Sequence, residues 1–516
     1  MPDFNDARIR SANDRPVNPA GRYVLYWMQA FRRLHANHAL DQALRYCREL
    51  KKPVVVYEGL KLNYPWASAR HHTFVLQGMR DNAVAAEQLG IAYWPFVETR
   101  DQTGRGLVAK LADDACLVIT DDYPAFVVPA HNRAIAAKSP VSVQLVDGNS
   151  LVPLDRLGPA VSAAVHLRRR IHTHFAEAWE HRSKAIPVVP KAAKSKLAPP
   201  FAPWNPKTDI ASFVGSLPID QTVAAVPNLT GGSVAAREVL AEFVSNKLPQ
   251  YAEGRNQPDD PARNAASRLS PYLRHGHISI QEIAEAVLGA DWTPGEINPM
   301  AKAKRDDFFC RDANANSFLD EAITWRDVGY HWNFVRNLAS PGRRSGEVSP
   351  RGDGNPRFNF ETFAFSPLED RTLEVVLPEW AKKTLRKHEQ DRRDYRYSLD
   401  EFESSATHDD LWNAAQSELV RTGRIHNYLR MLWGKKVIEW SKSPAEAYRV
   451  LEHLNNKYAL DGRDPNSYTG ILWCFGLFDR PWAPERPVFG SVRFMSSAST
   501  AKKFDLTGYF EYVKGL

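Results

Sequence analysis

Hydrophobic and polar positions follow two different periods along the chain, and the change of period divides it. Within the first 150 residues, short apolar runs of β-forming residues recur at Tyr23–Trp27, Pro53–Tyr57, Ile91–Val97, Cys116–Thr120 and Val141–Val146. Helix-like stretches lie among them, at Asn37–Leu44 and Ala69–Leu89. Apolar strands that alternate with helices predict a parallel sheet covered on both faces. No GxGxxG follows the first strand, so the usual dinucleotide fingerprint is absent.

Residues 183–208 are rich in Pro, Lys and Ala without periodicity, and read as an exposed linker. From Ser233 onward apolar residues recur every three to four positions, through Val234–Phe243, Ile280–Val287 and Asn413–Leu454. The segment Pro341–Phe358, PGRRSGEVSPRGDGNPRF, reads as a loop or a partly disordered insertion. There is no internal repeat. The predicted fold class is therefore α/β plus all-α. A doubly wound, Rossmann-like parallel-sheet domain (1–182) is joined by the linker (183–208) to a helical domain (209–516).

Composition narrows the function class. The chain has 516 residues, room for two to four domains at roughly 150 residues each. Cys47, Cys116, Cys310 and Cys474 lie far apart with no CxxC, which argues against a structural metal site and for a reducing compartment. The first residues carry no apolar core, so no secretory signal is expected, and no apolar run is long enough to span a membrane. A cytoplasmic location is expected, or a nuclear one in a eukaryote. The net charge of +7 permits a polyanionic partner without requiring one. The 14 Trp are the unusual count, because many sit in one C-terminal stretch.

Arg424–Trp440 is a strong helix in which Trp433 and Trp440, seven apart, project from nearly the same face about 10.5 Å apart along the axis. Trp412 lies on the preceding segment. Such indoles pack cores in most helical proteins; closely spaced, they also conduct electrons to an excited acceptor. Their surroundings favour conduction. Tyr26–Gln29, Tyr251-x-x-x-Arg255-Asn256, Ser267–Leu273 and Glu321-x-x-x-Trp325-Arg326 stand in order along the chain. Leu377–Ala381, Thr407–Asp409, Leu411–Gln416, Tyr428–Met431, Leu460–Asn466 and Arg486–Gly490 follow. In these segments the sequence resembles the photolyase/cryptochrome flavoproteins, specifically the class II cyclobutane pyrimidine dimer photolyases.

The resemblance implies a light-driven DNA repair lyase whose helical domain encloses FAD, active as FADH−. It implies that Tyr251, Ser267, Leu269 and Ser270 hold the FAD phosphates and ribitol, that Arg430 and Asp461 lie beside the isoalloxazine ring, and that Asn455 faces flavin N5. Read from the residues alone, Ser267–Pro271 is a helix start, itself an anion site, and Asp461 and Asp464 are turn formers. The resemblance further implies that Glu321, Trp325 and Trp473 line the dimer pocket, that Asn427 and Met431 face it, and that Arg480 lies near the extruded dimer. Trp412, Trp433 and Trp440 are the expected relay. Class II proteins commonly carry glycine where Asn427 stands. The wording of Trp325–Trp332 and the length of the Arg-rich loop also depart from the family. A second antenna chromophore, deazaflavin or folate, is implied in the N-terminal domain. DNA containing pyrimidine dimers is the expected partner, with no obligatory protein partner, no membrane and no metal, for a monomer. The rivals are a cryptochrome-like blue-light sensor, a (6-4) photoproduct photolyase, and a helical DNA-binding protein without activity.

Overall fold

The computed structural model describes residues 4–195, 197–259, 264–339, 358–359, 364–365 and 372–516. Six strands, β1 (Ile9–Ser11), β2 (Tyr23–Met28), β3 (Val54–Leu60), β4 (Ala92–Val97), β5 (Ala115–Asp121) and β6 (Val143–Val146), form a sheet in the order β1-β6-β5-β2-β3-β4. All neighbours run parallel except β1, which pairs antiparallel with β6. The crossovers are α1 (His38–Leu50), α2 (Ala69–Leu89), α3 (Leu107–Asp113) and α4 (Val128–Lys138). Strand pleat explains the two-sided burial: Val24, Tyr26 and Met28 pack with Leu40 and Leu44 of α1, while Tyr23 and Leu25 pack with Leu111 of α3 and Ile135 of α4. The sheet is doubly wound, as the alternation of strands and helices predicts. Strand β1 is an addition, being three residues long and polar at its centre.

Tyr26–Gln29 owes its structure to Asp121 at the end of β5. That carboxylate accepts the backbone N–H groups of Gln29, Ala30 and Phe31 at 2.9, 2.6 and 2.9 Å and the Tyr26 hydroxyl at 2.9 Å. The loop so pinned docks on the helical part. Arg33 donates to the Gly276 carbonyl at 3.1 Å. Gly276 has φ +70, and a Cβ there would collide with the Ala30 carbonyl, so only glycine permits this approach.

The 183–208 stretch is irregular, but it is not exposed throughout. The Trp204 backbone N–H donates to the Pro95 carbonyl at 2.9 Å, the Trp94 indole donates to the Leu197 carbonyl at 2.8 Å, and the Phe201 ring packs edge-on against Tyr57, Trp94 and Phe96. The stretch covers β4, the edge that the parallel strands leave open.

Beyond it the chain is helical. The elements that matter below are α5 (Ala164–Glu180, which precedes the stretch), α6 (Tyr251–Gly254), α7 (Ser270–Arg274), α8 (Ala313–Leu319), α9 (Arg326–Ala339), α10 (Asp410–Thr422), α11 (Asn427–Trp440), α12 (Pro444–Tyr458) and α13 (Pro465–Cys474). A π-helical turn, Asp320–Trp325, joins α8 to α9. The helical period over Asn413–Leu454 resolves into three helices. Gly423 at φ 70 ends α10, and Ser443, accepting from the Glu446 N–H ahead of Pro444, starts α12. Of the predicted loop Pro341–Phe358, residues 341–357 lie outside the described residues; Phe358 belongs to a two-residue strand paired with Ala364–Phe365. No described helix is long and apolar enough to cross a membrane.

Candidate active site

Two residues from separate segments meet at one carboxylate, that of Asp461. Ser270, the first residue of α7, donates its hydroxyl to Asp461 at 2.9 Å, and Arg430 of α11 pairs with the same side chain at 3.1 Å. Asp461 is therefore more than a turn former; that role belongs to Asp464, which caps α13 and accepts the hydroxyls of Tyr123 and Tyr330 at 3.0 and 2.6 Å. The Arg430 Nε is buried without a partner. Ser267 accepts the Leu269 N–H at 3.4 Å, and Leu269 itself is a core residue. Asn455, near the end of α12, is buried and donates to the Asn456 amide oxygen at 3.3 Å.

Tyr251 lies beneath the Arg255 guanidinium, 5.6 Å from the ring centroid, and Arg255 pairs with Glu321 at 2.5 Å. Burial, with the Glu321 carboxylate next, pushes the Tyr251 phenol up to about 12. Glu321 is half-buried and held by this partner, which the sequence reading did not assign. Both Glu321 and Trp325 ride on the π-helical turn, a distortion that often marks functional positions. Trp325 stacks on Trp473 of α13, centroids 5.2 Å apart and planes 20° from parallel, with both indoles half-exposed. Asn427, at the start of α11, donates to the Asn256 side chain at 3.3 Å, and Met431 is half-buried one turn along. Arg480 is exposed over the Trp482 ring, 4.7 Å from its centroid, with Arg493 at 5.0 Å from the same ring. None of its described contacts reaches Glu321, Trp325 or Trp473.

The indoles of α10 and α11 form one buried group. Trp412 donates to the Trp433 carbonyl at 3.0 Å and meets Trp440 edge-on at 5.9 Å, while Trp433 donates to Gln416 at 2.9 Å. Trp412 thus joins Trp440 by an edge contact. Trp440 in turn meets Tyr397 at 5.5 Å, and Tyr397 hydrogen-bonds His408 at 2.6 Å.

Electrostatics adds a feature that the sequence reading missed. Lys247, Arg268 and Arg424 gather beside Ser267–Ser270. Burial and then Arg424 lower the Arg268 pKa; burial, then Arg268, lower that of Lys247. Glu242, 4.0 Å from Lys247, offsets part of this charge, and the remaining cations beside a hydroxyl segment suit a polyphosphate. Together with the unpartnered Arg430 Nε, this makes these residues suited to a dinucleotide with a polar ring. The separate sequence signals were single basic residues, which have no local pattern.

No family model matches the chain. Over 510 residues it is 33% identical to a deoxyribodipyrimidine photo-lyase of Methanothermobacter thermautotrophicus, covering 99% of this chain and 98% of the relative. The chain belongs to the deoxyribodipyrimidine photo-lyase family. Photo-lyases of Arabidopsis thaliana and Potorous tridactylus are 30% and 28% identical, across 98% of this chain and 92% and 84% of their own lengths. Among solved structures, a class III photolyase from Agrobacterium tumefaciens superposes with a TM-score of 0.61 at 18% identity, covering 96% of this chain and 86% of that one. A Synechocystis cryptochrome does so with a TM-score of 0.62 at 14% identity, covering 95% and 88%. Both structures thus share the fold of this chain, an α/β domain followed by a helical one.

Proposed function

We propose that the chain reverses cyclobutane pyrimidine dimers in DNA under light, with the site residues of a class II photolyase. The observation that carries this reading is the stacked Trp325–Trp473 pair beside Glu321, linked through Arg255 to Tyr251. An α/β antenna-type domain (1–182) and an FAD- and DNA-binding helical domain (209–516) divide the work. The protein acts as a monomer, in the cytoplasm or the nucleus.

Bound FAD, reduced to FADH−, supplies the light-absorbing electron donor. Lys247, Arg268, Arg424 and Ser270 hold its phosphates, Tyr251, Ser267 and Leu269 flank them, and Arg430, Asp461 and Asn455 hold the ring. Asn455 suits either flavin state because its amide both accepts and donates. Trp325 and Trp473 grip the flipped bases by their faces and exclude water, with Met431 and Asn427 at the pocket's edge. Glu321, kept in place by Arg255, accepts a base N–H. Trp433, Trp412 and Trp440 feed electrons for activation. Arg480 and Arg493, on either side of Trp482, contact the DNA around the extruded dimer. For a second chromophore, deazaflavin or folate, a cavity of about 860 Å³ lined by Tyr64, Trp66, His453 and Lys457 offers an aromatic wall, with its two α12 residues on either side of Asn455 in the chain.

The (6-4) reading needs a histidine free to exchange protons at the lesion. His331 bonds the Gly158 carbonyl at 2.8 Å, His426 caps α11, and burial lowers both to about 4. Their engagement favours cyclobutane dimers. An absorption spectrum before and after blue light with reductant tests the reading: FAD bands that bleach are expected, and a folded protein that takes up no FAD overturns it.

A further inference from the structure

Behind Asn455 the helix interior holds an unusual set of polar atoms. Glu452 Oε1 and Tyr448 OH are buried without a hydrogen-bond partner, and Tyr468 OH has only the Asn456 side chain beside it. Glu452 is 7% exposed, Tyr448 1%, and Tyr468 and Asn456 fully buried. Tyr448, Glu452 and Asn456 follow at four-residue steps on one face of α12, and Asn455 stands beside the last of them. Tyr468 arrives from the facing helix α13. A buried polar group without a full set of partners is costly, and four such groups gathered in one place call for a reason. Among the described residues, burial is the single cause acting on Glu452, and it pushes the carboxyl up to about 8, so the group is neutral at physiological pH. Burial and then Glu452 raise both tyrosines; on the far side Arg274 and Arg463 act on Tyr468 in the opposite sense.

Resting on the flavin reading above, we propose that Glu452, with Tyr448, Tyr468 and Asn456, is a buried proton reservoir for the ring that Asn455 faces. Once a bound ring is reduced, Glu452 would release its O–H proton through the Tyr448 and Tyr468 hydroxyls toward that ring. The electron pair of that bond stays on the carboxylate, which regains a proton from solvent. Glu452 touches the cluster rather than the ring, so it is a positioning and proton-storing residue.

Glu452→Gln copies the shape of the neutral acid and removes the proton. Infrared pH titration of the protein without FAD should reveal a protonated carboxyl band at pH 7 that the variant lacks; its absence from the wild type overturns the proposal. With FAD bound, light should bleach that band in the wild type. Proton uptake by the flavin, followed by its red-shifted absorption, should slow in the variant by roughly a hundredfold, the low end of what a positioned donor contributes. Uptake at the wild-type rate in a variant that binds FAD and accepts electrons overturns the reservoir alone, whereas failure of either protein to bind FAD overturns the flavin reading and the reservoir's destination with it. Should Glu452→Gln not fold, Tyr468→Phe, which removes one hydroxyl from the path, must slow uptake in the same assay or the proposal falls.

Discussion

Asp320 opens the π-helical turn that carries Glu321 and Trp325, and its carboxylate is clamped by Arg168 of α5 through two parallel bonds of 2.7 and 2.9 Å. The two side chains are 6% and 1% exposed, so the discount that applies to surface pairs does not apply here. Asp320→Ala strands a buried guanidinium. Removing one partner of such a pair costs about 3–5 kcal/mol, most of it the penalty of the charge left behind. Arg305, 3.7 Å from the same carboxylate and half-exposed, regains water and adds little. Replacing both partners with apolar groups, Arg168→Met with Asp320→Leu, should return most of the loss, giving a coupling of about 3 kcal/mol in a double-mutant cycle. Urea unfolding followed by tryptophan fluorescence reads the stability, and binding of dimer-containing DNA reads the position of Glu321 and Trp325. A single-variant loss below about 1 kcal/mol would mean that water reaches Arg168 and that the turn is held by other contacts.

Trp433→Phe should bind FAD yet nearly lose photoreduction from the oxidised state, while chemically prereduced protein still repairs; photoreduction at the wild-type rate would reduce the indoles to packing. Trp473→Ala should weaken binding of dimer-containing DNA by roughly 1–3 kcal/mol, the loss of one stacking face, with an unchanged flavin spectrum. Glu321→Gln, which leaves a group for Arg255 to bond, should lower repair yield without altering photoreduction; an unaltered yield places the lesion elsewhere. Glu452 gives a pH signature. Its folded pKa, about 8, lies above the ordinary 4.5, so the folded state holds a proton that the unfolded chain has given up. Stability from this group is full below pH 4.5 and is lost as pH rises through 8, and Glu452→Gln should flatten that window in thermal unfolding scans.

Much of the architecture was legible because it is local. Apolar strand runs and the Ala69–Leu89 helix carry their periods in the sequence, and Gly423 and Ser443-Pro444 are stop and start signals that a period count alone passes over. Ile9–Ser11 was not legible, since a three-residue edge strand has no period. The 183–208 stretch misled because its proline content resembles a free tether, although Phe201 and Trp204 are anchors for the sheet edge. At the site, family likeness supplied the residue set, while the partners had to come from the fold. Arg255 with Glu321, Trp325 with Trp473, and the Lys247, Arg268 and Arg424 group join segments far apart in the chain. Glu452 was equally hidden: a glutamate on an amphipathic helix reads as a solvated charge until its burial is known.

Repair itself is decided with the whole protein, loaded with FAD, reduced under anaerobic conditions and mixed with an oligonucleotide that carries one thymine dimer. Under blue light the ultraviolet absorbance of intact thymines should return and the dimer should disappear, with no change in the dark. A protein that holds reduced FAD, absorbs the light and leaves the dimer intact would contradict the account and make the same fold a sensor.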